Sequence, residues 1–102
     1  MTDSKDQKSL YFIGIKGMGM SALAIMAKEL GYQVSGSDVE ENFPTDKVLS
    51  ESKIKVNRGF SAENIAGKPR IVVSAAFGAE NVEIKEARKK RLTILTYSEV
   101  LG

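Results

Sequence analysis

LYFIGIKGMGMSALAIMAKELGYQVSGSDVE, residues 10–40, decides the fold. Residues 10–15, LYFIGI, form an unbroken apolar run that gives way to glycine, the pattern of a parallel strand covered on both faces. A helix follows from residues 17–21 to Leu30, with Met20, Leu23, Ala24, Ala27 and Leu30 spaced to share one side. Gly31 stops it, as glycine does just past a helix end. Residues 32–35 make a second short strand, and Gly36, Ser37 and Asp38 read as the turn after it. Strand, helix and strand in about thirty residues are a βαβ unit, which requires a parallel pair.

Downstream, Pro44 and Thr45 open a short helix through Leu49, and Ile54 and Val56 alternate with lysines as a modest strand does. Residues 70–76, RIVVSAA, are a dense β-branched run after the turn Gly67-Lys68-Pro69. Residues 81–90 form a helix with Glu83 and Glu86 early and Arg88, Lys89, Lys90 and Arg91 at its end, the order a helix dipole favours. Residues 92–95 supply a last strand. The expected architecture is α/β: a Rossmann-like, doubly wound parallel sheet of four or five strands in three layers.

With 102 residues, 42% of them apolar, the chain holds one domain. Residues 1–9 are expected to be a disordered polar tail and residues 10–102 the folded unit. The stop shortly after the last strand suits either a natural end or a segment of a longer protein. Fifteen basic and 13 acidic residues, spread evenly, give a net charge of +2 and no tract for nucleic acid. Cysteine and histidine are absent, so disulfides, thiol nucleophiles, imidazole bases and the usual zinc or iron sites are excluded. No apolar stretch approaches the roughly 20 residues of a membrane span, and residues 1–8 lack a signal-peptide core, so a cytoplasmic, membrane-free monomer is expected.

The loop GIKGMGMS carries the functional signal. Read from Gly14, the pattern G-x-G-x-x-G has Gly14 and Gly19 in place but Lys16 at its second glycine. Read from Gly17, the variant G-x-G-x-x-A is complete with Gly17, Gly19 and Ala22. In both frames small residues admit a ligand to bare backbone at a helix N-terminus, where free N–H groups attract phosphate. The Lys16 ammonium either meets that phosphate or sits in solvent. Asp38, 19 residues after Gly19, is placed for ribose hydroxyls or, with Ser37, for a turn. Ser74 ends a strand on the same edge of the sheet, and Asn81 either lines the site or caps the next helix. Met18, Met20 and Met26 read as core or gap-filling side chains, and the run 88–91 as a solvated helix end. No G-x-x-x-x-G-K-[ST] loop and no catalytic constellation is present, so binding is the simpler reading.

YFIGIKGMGMSALA, GYQVSGSDVE, Phe43-x-Thr45, RIVVSAAF-x-x-x-N-x-E-I and the closing LTYSEVLG, taken in this order, resemble the amino-terminal domain of the Mur ligases. The branch they resemble most joins L-alanine to UDP-N-acetylmuramate. The resemblance implies an ATP- and Mg2+-dependent ligase of peptidoglycan synthesis working through an acyl phosphate. It assigns the UDP-sugar to this domain, and ATP and magnesium to a central domain outside these residues; a third, C-terminal domain closes over the amino acid. It implies further that Gly14, Ile15, Lys16, Gly17, Met18, Gly19, Met20 and Ser21 face the diphosphate. Ser37 and Asp38 would lie near the uridine, Ser74 and Ala75 near the sugar, and Asn81 in the Asn-x-Glu segment. Many relatives have glycine at position 16, although others have lysine there as this chain does, and many have a histidine at position 60. Phe60 stands here instead, available to stack on the base or to fill the core. Two other readings stay open: an NAD- or NADP-binding domain of a dehydrogenase or sensor, and an interaction domain that has lost its ligand.

Overall fold

Alternation along the first strand builds both faces of the protein. In the computed structural model, which describes residues 8–101, β1 (Ser9–Ile13) is buried throughout. Leu10 and Phe12 enter one core with Met20, Leu23, Ala24, Ala27, Leu49 and Ile54, while Tyr11 and Ile13 enter another with Ile65, Ile71, Ile84 and Ala87. A strand with apolar residues on both faces must be covered on both, hence three layers. Residues 1–7 of the expected tail lie outside the described residues, and Ser9 already belongs to β1.

The remaining elements are α1 (Met18–Glu29), β2 (Gln33–Asp38), α2 (Thr45–Glu51), β3 (Lys55–Arg58), a 3-10 turn at Ala62–Ile65, β4 (Arg70–Val73), α3 (Val82–Lys89), β5 (Thr93–Thr96) and α4 (Tyr97–Leu101). The strands lie in the order β3-β2-β1-β4-β5 and every neighbouring pair is parallel. This is the expected doubly wound sheet, with five strands. The order reverses between β1 and β4, so the loop leaving β1 opens at the switch point where such sheets bind ligands.

One boundary and the burial of three side chains differ from the sequence reading. β2 runs on through Gly36, Ser37 and Asp38, which pair with Phe12 and Ile13 of β1 and with β3, so these residues are strand and not turn. The glycine permits this: a Cβ on Gly36 would run into the Phe12 carbonyl oxygen and lie 2.8 Å from Ile15 Cδ1. Leu30 is exposed, because it follows the last turn of α1 and points off the core face. Met18 and Met26 are exposed as well, and of the three methionines read as core only Met20 is buried.

The helices α1, α2 and α3 end alike. Gly31, Lys53 and Arg91 take positive φ, and the next residue's N–H returns to a carbonyl one turn back: Tyr32 to Ala27, Ile54 to Leu49, and Leu92 to Ala87. These are Schellman closures, which send the chain directly into the following strand. Only the first has the glycine that marks the motif in sequence. Among the described residues no helix is long and apolar enough to cross a membrane.

Candidate functional site

Gly14 leaves β1 at φ 87°, and a Cβ there would sit 2.7 Å from Ser74 Cβ and 2.9 Å from the Phe77 ring. Glycine is thus required both by conformation and by the close passage of the strand that follows on the other side. Gly17 caps α1, with no side-chain cap and no acidic residue in the first turn. The N–H groups of Met18, Gly19 and Met20 therefore have no intrahelical acceptor and carry the positive end of the helix dipole. Nothing comes within 3.7 Å of a Cβ built on Gly17, so that face of the loop is open.

A cleft of about 280 Å³ lies over this helix start, lined by Gly17, Gly19, Met20, Ser74, Ala75 and Tyr97. It combines five of the residues singled out in the sequence with one that was not. Tyr97 begins α4 immediately after β5, with its hydroxyl 3.0 Å from a Cβ built on Gly19. Its position past a parallel strand's C-terminal end was the available signal. Ser74 is tied to β1 through its N–H to Ile13 O, and its Oγ accepts from Ala76 N–H, leaving its proton for a ligand.

The other candidates are placed differently. Ile15 is core, and Ser21 donates its hydroxyl to Met18 O. Met18 stands exposed at the rim of the loop. Lys16 is not in solvent: it is 4% exposed and turned toward residues 39–46. Asp38 is buried, one carboxylate oxygen accepting from Lys16 N–H at 2.8 Å and the other from Val39 N–H at 2.7 Å. Asn81 is the cap of α3, its Oδ1 accepting from the N–H groups of Glu83 and Ile84. Phe60 meets Phe77 edge-on at 5.0 Å and also borders a second, more open cavity of about 590 Å³ with Val39, Glu40, Glu41, Arg58 and Gly59.

Behind the loop lies a buried polar cluster that sequence reading missed. Glu83, fully buried, receives Ser37 Oγ at 2.5 Å, Asn64 Nδ2 at 2.7 Å, Ser61 N–H at 3.0 Å and Tyr11 OH at 3.4 Å. Asn57 Nδ2 in turn donates to Tyr11 OH at 3.2 Å. Burial, seconded by the Glu83 charge, pushes the Tyr11 hydroxyl up to about 12. Ser37 thus faces Glu83 and not the cleft. In sequence, Glu83 looks like an ordinary acidic residue in a first helical turn; the sheet order alone brings β1, β2, β3 and the 3-10 turn around it.

The sequence model of the Mur ligase family, catalytic domain, matches residues 9–102. The chain belongs to the Mur ligase family. It corresponds to the family's amino-terminal domain and is closely related to UDP-N-acetylmuramate–L-alanine ligases. Two of these, from Dictyoglomus turgidum and Aquifex aeolicus, are 40% and 39% identical over 93% of the chain. The chain spans about a fifth of their length (20% and 21%). The solved UDP-N-acetylmuramate-alanine ligase of Thermotoga maritima superposes with a TM-score of 0.84 at 29% identity, covering 91% of this chain and 21% of that one. The UDP-N-acetylmuramate:L-alanyl-gamma-D-glutamyl-meso-diaminopimelate ligase of Neisseria meningitides gives 0.85 at 27%, covering 92% and 30%.

Proposed function

We propose that this Mur ligase domain holds UDP-N-acetylmuramate for a cytoplasmic ligase that joins it to L-alanine. The observation that carries the reading is the uncapped N-terminus of α1, opening at the β1/β4 switch point into a cleft walled by Gly17, Gly19, Ser74 and Tyr97. The diphosphate takes the free N–H groups of residues 18–20, with Gly17 admitting it to bare backbone. Ser74 donates to the sugar side, beside Ala75. The cavity at Phe60 is the room for the uridine, and Asp38 keeps a lone pair on each oxygen for a ribose hydroxyl. The names of the relatives favour a UDP-sugar over a nicotinamide dinucleotide.

In this reading ATP and Mg2+ are held outside these residues. The sequence has no G-x-x-x-x-G-K-[ST] loop, and among the described residues no three His, Cys, Asp or Glu side chains are grouped to hold a metal ion. The chemistry belongs to the remainder of the ligase, and the role of this chain is to bind and orient the substrate.

Calorimetric titration with UDP-N-acetylmuramate, UDP, NAD and NADP tests the assignment. UDP compounds are expected to bind, weakly in the absence of the other domains, and NAD binding tighter than any of them refutes it. Gly17→Ala sharpens the test. At φ −59° the new methyl group is tolerated, so stability stays within about 0.5 kcal/mol, while UDP affinity falls roughly tenfold as the methyl group blocks the approach of phosphate.

A further inference from the structure

Every polar group of Lys16 is committed to Asp38 at the end of β2 or to the segment that follows it. Its N–H donates to Asp38 Oδ2 at 2.8 Å, and its carbonyl accepts from Thr45 Oγ1 at 2.6 Å. Its ammonium donates to Glu41 O at 2.7 Å and Val39 O at 3.1 Å, pairs with Asp46 Oδ1 at 3.2 Å, and lies 5.6 Å from the centre of the Phe43 ring. An ammonium has three protons, and three acceptors use them. The buried charge is matched by the Asp46 carboxylate, which also accepts from Phe43 N–H. Arg58 secures the same segment from β3 through Glu40 O.

We propose that Lys16, although it stands inside the phosphate loop, is a positioning residue: it pins residues 39–46 to the glycine loop and leaves phosphate to backbone N–H groups. The inference rests on the nucleotide reading above, because residues 39–41 wall the cavity assigned to the uridine. Holding that wall in place before the ligand arrives removes an ordering cost from binding. The same clasp makes the phosphate seat and the nucleoside wall one rigid piece, since a single residue belongs to both.

The experiment uses the 102-residue chain and Lys16→Met, which keeps an apolar stem and removes the charge. Amide hydrogen exchange by NMR is read alongside UDP-N-acetylmuramate affinity measured across a series of KCl concentrations. Exchange in residues 39–46 is expected to rise at least about tenfold while amides of β1 and β4 keep their rates. Affinity should fall roughly tenfold, with the dependence on salt parallel to that of the unmodified chain. A flatter salt dependence would mean that the ammonium reaches phosphate, and unchanged exchange in residues 39–46 would mean that it pins nothing; either overturns the proposal. If Lys16→Met does not fold, Thr45→Val carries the exchange test, with the same local rise expected and an unchanged rate counting against the clasp. Absence of any UDP binding by the unmodified chain would remove the nucleotide reading, while the exchange arm would still decide whether Lys16 holds the segment.

Discussion

Replacing Glu83 separates hydrogen bonding from mere burial. In Glu83→Ala the carboxylate that gathers Ser37, Ser61, Asn64 and Tyr11 disappears, and their donors face a space with no acceptor. Each buried donor left unpaired costs about 1–3 kcal/mol. The hydroxyls of Ser37 and Tyr11 can rotate, and Ser61 and Asn64 are near enough to solvent to recover part of the loss. A total of about 3–5 kcal/mol results, a large share of the roughly 5–15 kcal/mol available to a domain of this size. Glu83→Gln behaves differently. Its amide oxygen replaces Oε2 and keeps Ser61 and Asn64, while its nitrogen faces Ser37 Oγ, which turns to accept. Only the charge assistance is lost, about 1 kcal/mol. Urea unfolding followed by circular dichroism measures both, with the slope of free energy against urea checked for constancy. An alanine variant less than about 1 kcal/mol below the unmodified chain would show that the donors are satisfied without Glu83. A glutamine variant as unstable as alanine would show that charge, and not hydrogen-bond geometry, holds the cluster.

Gly36→Ala should destabilise by about 3 kcal/mol, at the upper end of overpacking, because the methyl group meets the Phe12 carbonyl of the neighbouring strand, which cannot move without breaking the pairing; loss of less than 1 kcal/mol in the same urea assay would contradict the close approach. Tyr11 ionises near 10 when unfolded and near 12 when folded, so its contribution is complete below pH 10 and is lost as pH rises from about 10 to about 12. Tyr11→Phe should flatten that part of the stability profile, and absorbance titration of the three tyrosines should show one group lagging behind the other two; three coincident titrations would refute the burial argument.

Much of the fold was legible because its signals are local. The apolar run of β1, the glycine loop, the spacing of α1 and the RIVV strand each declare backbone geometry within a few residues, and together they dictate a parallel doubly wound sheet. The ends of α2 and α3 were harder to read, since Lys53 and Arg91 adopt a conformation that sequence usually marks with glycine. Gly36 misled for the opposite reason: glycine reads as a turn, whereas here it allows two strands to approach closely.

By itself the sequence determined that the protein is a parallel α/β domain with a glycine loop, Gly14 to Gly19, between its first strand and first helix, because strand period, helix period and glycine placement act over short distances. What only the tertiary structure decided is the use of each polar side chain. Lys16 meets Asp38 and Glu41, 22 and 25 residues away, and Ser37 meets Glu83 across 46 residues. No local pattern specifies such partners, since they exist only once β1 lies between β2 and β4 and the loops at the C-terminal edge of the sheet face one another. Lys16 and Ser37, singled out in the sequence as candidate ligand contacts, have internal partners here, and Tyr97, which had no motif to announce it, stands at the cleft.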